Sequence, residues 1–291
     1  MIAKNDKIAL ERRCFLMRKF IAAAVQLNST ENKKENLEKI ALLVKEAAKK
    51  GAKLVALPEN SNYEGLNFKD TAEEIPDGES FKFFSALAQK YNIWLHCGSI
   101  YEKCDSEKPF NCTVLINPEG KLAAKYHKIH LFDVDIAKDG VCCKESDNVS
   151  FGEKITLCNT KEVGNIGLSI CYDIRYGELF RIMALKGADI FMAPADFTLN
   201  TGKDHWEVLL RARAIENGCY VIAPNQIGQK SKFTAYGNSM IIDPWGTVIA
   251  RASDKEGVIT AEIDLDYCQS IRRQVLTLEN RRTDIYTLKE N

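Results

Sequence analysis

The chain has 291 residues, 45% of them apolar and 27% charged, with 40 acidic side chains against 40 basic ones. That suits one large α/β domain or two smaller ones with a sizeable core. Zero formal net charge and the lack of a basic run argue against a nucleic-acid partner, and no apolar stretch approaches the ~20 residues of a membrane helix. Low net repulsion favours self-association. Ten cysteines without a CxxC pair argue against a zinc ribbon or a thioredoxin-type motif. With no secretory signal, a reducing, cytoplasmic setting is expected.

Met17-Arg18-Lys19 ahead of FIAAAVQL reads as an ordinary start. Residues 1–17 therefore read as an N-terminal extension and 18–291 as a single domain. Asp6 and Glu11 speak against a basic targeting peptide. FIAAAVQ reads as a buried strand. Leu37, Ile40, Ala41, Val44 and Ala48 give residues 31–50 a helical period, with Thr30 as cap and Gly51 as stop. KLVALP is a strand, 60–79 a loop, SFKFFSALAQKY a helix and NIWLHCGSI a strand. FNCTVLI and KLAAKYH form a hairpin across Asn117-Pro118-Glu119-Gly120. From Lys128 a loop of about 25 residues follows, a length usually kept for function. NIGLSIC (strand), GELFRIMALKG (helix), ADIFMAP (strand), DHWEVLLRARAIEN (helix) and CYVIAPNQ (strand) come next. SMIIDP and GTVIAR make a second hairpin.

The second half repeats the first in letters as well as in order. Lys50-Gly51-Ala52-Lys53-Leu54-Val55-Ala56-Leu57-Pro58 matches Lys186-Gly187-Ala188-Asp189-Ile190-Phe191-Met192-Ala193-Pro194, and NPEG matches DPWG. Each half predicts a mixed sheet with helices on one face. Two bare sheet faces must bury each other, giving a four-layer α-β-β-α sandwich with internal pseudo-two-fold symmetry. A single doubly wound sheet is the alternative, but the central hairpins fit it poorly.

Three short segments carry candidate chemistry. Glu59 follows a buried strand and a proline, at a strand's carboxyl end, where ligands bind in α/β folds. Lys128 in Tyr126-His127-Lys128-Ile129-His130-Leu131-Phe132 ends a strand and opens the long loop. Cys171 in Gly167-Leu168-Ser169-Ile170-Cys171-Tyr172-Asp173-Ile174-Arg175 closes an apolar strand at a turn into a helix. Such a turn exposes a nucleophile, and the helix N-terminus favours its thiolate. Singly, each has a plain structural explanation: a solvated glutamate, a surface lysine, one buried cysteine among ten. Together they are complementary, because a thiol needs a base and a cationic neighbour to attack at neutral pH. His127 or His130 would have to be the base of a cysteine–histidine protease, which would leave Glu59 without a role.

LPE, YHKIHLF and ICYDIR in this order resemble the nitrilase (carbon–nitrogen hydrolase) superfamily, from about residue 18 to the end. That resemblance implies the α-β-β-α sandwich, dimerisation through its α faces, and no metal or organic cofactor. It implies Glu59 as general base, Lys128 as oxyanion stabiliser and Cys171 as nucleophile. Glu145, in CCKES, matches a second glutamate that positions the lysine, and the Tyr172 N–H would help form the oxyanion hole. CYDIR and FTLNTGKDHW are similar to the ω-amidase and deaminated-glutathione amidase branch. By that resemblance Arg175 and Thr201 hold a substrate carboxylate, as the guanidinium fork suits, and Tyr63 lines the pocket. The loop NSNYEGLNF is about two residues shorter than in ω-amidases, and Gly177 stands where much of the superfamily has proline; Glu178 beside it reads as a structural partner of the loop. The expected partner is a small amide, the expected assembly a homodimer. N-carbamoyl-amino-acid hydrolysis and a non-catalytic binding module are the alternatives.

Overall fold

This computed structural model describes residues 19–105, 107–136 and 141–290; the N-terminal extension expected at 1–17 lies outside them. The first half runs β1 (Lys19–Gln26), α1 (Lys33–Lys49), β2 (Ala52–Ala56), α2 (Glu79–Tyr91), β3 (Trp94–His96), β4 (Ile100–Glu102), β5 (Phe110–Ile116) and β6 (Leu122–His127). A loop hairpin follows, β7 (Asp133–Ile136) with β8 (Val141–Lys144). The second half begins β9 (Leu157–Asn159), β10 (Asn165–Leu168), α3 (Gly177–Leu185), β11 (Ile190–Met192), α4 (Leu199–Thr201), α5 (Glu207–Asn217) and β12 (Tyr220–Ala223). It ends with β13 (Ile227–Gln229), β14 (Thr234–Tyr236), β15 (Met240–Ile242), β16 (Val248–Arg251), β17 (Gly257–Asp264) and α6 (Leu265–Gln274).

Two large sheets form, in the orders β17-β1-β2-β3-β5-β4, with β6 beside β5, and β16-β15-β12-β11-β10-β9, and β7–β8 and β13–β14 pair as separate two-stranded ribbons. The repeat is plain in the pairing. In each half three strands run parallel, β1–β2–β3 and β10–β11–β12, and a hairpin adds antiparallel to the third. In each half an antiparallel strand, β17 or β9, closes the other side. Because β17 comes from the end of the chain, it ties the second half to the first.

Strand alternation divides the core. Ala23 and Val25 of β1 face the layer holding Leu37, Ile40 and Val44 of α1 and Phe81 and Phe84 of α2. Ala22 and Ala24 face the other way, into the cluster that holds Leu168, Ile190 and Met192 of the second sheet. A period of two therefore puts one apolar face on the helices and the other on the partner sheet. The alanines keep the sheet-to-sheet packing close.

Several local expectations change. The cap of α1 is Asn32, whose Oδ1 accepts from Glu35 N (3.2 Å), while Thr30 Oγ1 accepts from Asn32 N (3.1 Å) and braces the turn before it. The predicted strand NIWLHCGSI is broken between β3 and β4. Gly98 has φ +75° there, and a Cβ at that point would overlap the Pro58 carbonyl, so the backbone crosses directly under the Glu59 loop. The long loop after Lys128 contains the β7–β8 hairpin. The helix expected from Asp204 starts at Leu199 and passes through a π-helical stretch, Gly202–Trp206. Strands β7, β8, β9, β13, β14 and β17 and helix α6 were not expected.

Candidate active site

Glu59, Lys128 and Cys171 meet at the carboxyl ends of β2, β6 and β10. Glu59 stands just past β2, with Asn60 after it at φ +56° to turn the chain away. Gln226 Nε2 fixes the Glu59 carbonyl at 2.8 Å. Lys128 is held on both sides by main chain: its N–H donates to Asn111 O (2.9 Å) and its carbonyl accepts from Gly152 N (2.8 Å).

The side chains form a closed network. Lys128 Nζ donates to Glu59 Oε1 (2.9 Å) and to Glu145 Oε2 (2.8 Å). Asn111 Nδ2 spans the same two acids, at 3.0 Å from Glu59 Oε1 and 3.2 Å from Glu145 Oε1. Glu145 Oε2 also accepts from Phe132 N (2.7 Å). The lysine side chain is only 2% exposed, so leaving water is compensated by two anions rather than one. Burial alone would lower its pKa, but Glu145, Glu59 and then Cys171 hold it well above the ordinary lysine value. The lysine is therefore a fixed cation, unable to act as a base near neutral pH.

Cys171 has φ +45°, a left-handed conformation unusual for a side chain with Cβ, and its N–H donates to Pro194 O at 2.8 Å. It opens a short 3-10 turn, Cys171–Arg175, rather than an α-helix. The expected helix-favoured resting thiolate is thus corrected. Burial pushes the thiol well above its usual pKa and Glu59 adds to the rise, while Lys128 pulls the other way. Sulfur rests as a thiol against a carboxylate, which suits attack with proton transfer to Glu59.

Asp173 locks the turn and was missed in the sequence. Its carboxylate accepts from Ile170 N (2.8 Å), Tyr126 Oη (2.7 Å) and His130 N (3.1 Å), and His130 Nδ1 lies 2.7 Å away. It thereby fastens the lysine motif to the cysteine motif. Its one sequence signal was an acid inside an apolar stretch. Arg213 is buried; it pairs with Glu216 Oε1 at 2.6 Å and donates to Ile174 O at 2.8 Å, bracing the same turn from α5. His130 stacks on Tyr176 (3.6 Å) and His127 on Phe110 (4.0 Å), with His127 Nε2 2.5 Å from Glu102. Neither histidine lines the cavity over Cys171.

That cavity holds about 700 Å³, and Tyr172, Arg175, Thr201 and Glu145 line it beside the triad residues. The Arg175 guanidinium lies 5.6 Å from the Tyr172 ring and 5.3 Å from that of Phe197, and donates to His205 Nδ1 at 3.2 Å. Thr201 Oγ1 is 2.8 Å from Thr198 Oγ1, which also lines the space. Tyr63 is different. It is buried under the loop with its hydroxyl accepting from Asn67 N (3.3 Å), and Leu66 and Phe68 line the cavity where it was expected. Glu178 is exposed on α3.

Glu102, Cys112 and His127 bring three possible metal-ligating atoms within 4.8 Å of one another. Glu102 is already spent on Lys125 Nζ and His127 Nε2, each at 2.5 Å. Burial pushes the Cys112 thiol well up. The group reads as an ion-pair network.

The chain is similar to known proteins over most of its length. The carbon-nitrogen hydrolase family profile matches residues 21–273. The chain belongs to the carbon-nitrogen hydrolase family, and is an amidase-type enzyme of the nitrilase superfamily. It is 42% identical over 271 residues to a deaminated glutathione amidase of Synechocystis, covering 91% of this chain and 99% of the relative. It is 42% identical over 277 residues to an omega-amidase of Xenopus tropicalis, covering 94% and 99%. The solved NitFhit protein of C. elegans superposes with a TM-score of 0.88 at 39% identity, covering 94% of this chain and 68% of that one.

Proposed function

We propose that the chain hydrolyses a small linear carboxamide that carries a carboxylate, most specifically the ω-amide of an α-keto acid, releasing ammonia through a Cys171 thioester. The observation that carries this reading is the buried Glu59–Lys128–Glu145 network beside the Cys171 thiol, opening into a cavity with one aromatic-framed arginine. Cys171 attacks the amide carbon and gives its proton to Glu59. Lys128 and the Tyr172 N–H stabilise the oxyanion. Glu59 protonates the departing nitrogen, then activates water for hydrolysis of the thioester. Glu145 holds Lys128 in place. Arg175, with Thr201, takes the substrate carboxylate.

The relatives are an omega-amidase and a deaminated glutathione amidase, which supports both an ω-amide and deaminated glutathione as substrates. A cavity of about 700 Å³ has room for the larger compound, which makes it the second candidate substrate. The test is ammonia release from α-ketoglutaramate, α-ketosuccinamate, deaminated glutathione and N-carbamoyl-β-alanine in parallel. Preference for a short keto amide is the expected result; activity on the carbamoyl compound alone would overturn it. Arg175→Ala should raise KM about 10- to 100-fold with a smaller change in kcat, the scale of a lost charged hydrogen bond.

Residues 18–291 are read as one domain. A homodimer is supported by the exposed apolar side chains of Val208 and Ile215 on α5 and of Trp245 in the β15–β16 turn. The eight cysteines whose side chains are described are all free, which suits a reducing, cytoplasmic setting. Among the described residues no helix is long and apolar enough to cross a membrane.

A further inference from the structure

One flank of the cavity carries charge that the triad does not use. Asp196 lies four residues past the end of β11, and its N–H donates to Glu59 Oε2 (2.9 Å) and also reaches the Cys171 sulfur. Its carboxylate lines the cavity with both oxygens buried, and its polar side-chain neighbours are Glu64 and Asn60. Glu64, another lining residue, faces it; Glu64 Oε2 accepts from Asn60 Nδ2 at 2.6 Å. Lys230 acts on both acids through space, but its three N–H groups are taken by Asn28 Oδ1 (3.0 Å), Ser29 O (3.0 Å) and Gln226 Oε1 (2.9 Å). It has none left for Asp196.

Two carboxyl groups in contact inside a protein do not both ionise at neutral pH. Burial pushes Asp196 up to about 6, with Lys230 opposing and Glu59 adding to the rise. Burial and then Asp196 push Glu64 well above its usual range. One proton therefore stays on the pair, carried by Glu64 and donated to Asp196.

The position gives this pair a task. Glu59 Oε1 is occupied by Lys128 and Asn111, so Oε2 is the oxygen open to exchange a proton with sulfur and with the leaving nitrogen. Oε2 is the atom that the Asp196 N–H holds. A nitrogen leaving from Oε2 departs within a side chain's length of the Asp196 carboxylate.

We propose that the Glu64–Asp196 pair is a binding site for the departing ammonia, which it receives as ammonium. The inference rests on Cys171 and Glu59 acting as nucleophile and base. As the C–N bond breaks, the thiol proton passes through Glu59 to nitrogen, so ammonia leaves neutral. Ammonia is a stronger base than either carboxylate. It takes the shared proton and becomes ammonium between two ionised acids. Water then splits the thioester, returning hydrogen to sulfur and giving a carboxylic acid. That acid ionises, and its proton refills the pair as ammonium departs. The sum is amide plus water giving carboxylate plus ammonium.

Asp196→Asn and Glu64→Gln both keep the main-chain donor to Glu59. Each is compared with the native chain on an amide and a methyl ester of the same acid. Methanol is a weak base and takes no second proton. The amide-to-ester ratio of kcat/KM should fall about tenfold or more in Asp196→Asn, as for loss of a proton-transfer group. Ammonium chloride should inhibit the native chain more than the variant, with sodium chloride as the ionic-strength control. Equal losses on amide and ester, or equal inhibition by ammonium, would overturn the proposal. Glu64→Gln serves if Asp196→Asn does not fold. Alkylation of Cys171 by iodoacetamide reads the site without turnover: ammonium chloride should slow it in the native chain and not in the variants. If the native chain cleaves neither substrate, the amidase reading fails by itself, and alkylation still decides the ammonium site.

Discussion

The two halves of the chain share one plan and divide the chemistry between them. β2 and β11 are counterparts, and so are the segments that follow, yet Pro58 leads to Glu59 where Pro194 leads to Ala195. The hairpin β5–β6 leads into Lys128, whereas its counterpart β15–β16 leads into Ala252, which has no polar side chain to offer. Cys171 lies three residues past β10, the first of the second half's three parallel strands. The counterpart strand β1 ends in Gln26, which donates to the carbonyls of Ser253 and Lys255. A duplicated scaffold therefore supplies twice the strand ends a site needs. The proposed base and cation come from one half and the proposed nucleophile from the other, so neither half holds a complete site.

Breaking the nucleophile side should have the largest effect. Cys171→Ala should lower ammonia release on the order of 10⁴-fold or more, since a covalent path is lost rather than weakened; residual turnover within tenfold of native would contradict the assignment. On the opposite half, Glu59→Gln should cost roughly 10²- to 10⁴-fold in kcat with the same substrate, the usual range for a general base. Lys128→Met tests the linkage itself. It leaves Glu59 and Glu145 facing each other without their shared cation, so denaturation should show a loss of about 3–5 kcal/mol along with activity. Unchanged stability would mean that the acids simply take up protons.

The smallest expected effect contrasts ion pairs on matching hairpin strands. On β6, Lys125 and His127 close on buried Glu102; on β16, Arg251 reaches Glu207, with both partners exposed. Burial works against the Glu102 charge, but His127 and Lys125 hold its carboxyl below the usual range. A depressed folded pKa gives stability that is present above the unfolded value and lost as pH falls through the folded one. Glu102→Gln should therefore flatten the acid limb of stability, below about pH 4.3, in melts taken from pH 3 to 6. Glu207→Gln should change little there, as exposed pairs contribute roughly 0–1 kcal/mol.

Much of this was legible because it is local. A continuous apolar run marked β1 and a 3.6-residue period marked α1, and the repeat KGAKLVALP/KGADIFMAP announced the duplication. The triad residues could be picked out because each lies at the carboxyl end of a predicted strand. Five of the six strands that were missed, β7, β8, β9, β13 and β14, have only three or four residues each, too short for a period to show. The sixth, β17, spans eight residues, and with α6 it follows the last repeat element, where the duplicated pattern gave no guide.

The sequence by itself determined the sandwich, the repeated order of its main elements and which residues to propose as base, cation and nucleophile, since these depend on neighbours a few residues apart. Only the tertiary structure decided what surrounds them. Asp173 joins motifs 43 residues apart through His130, and Asn111 spans two acids from β5. Tyr63 turns under its loop, and Asp196 meets Glu64 across the cavity. The physical reason is that burial and hydrogen-bond partners are set by which strand ends converge, and convergence of two sheets is not written in any one segment.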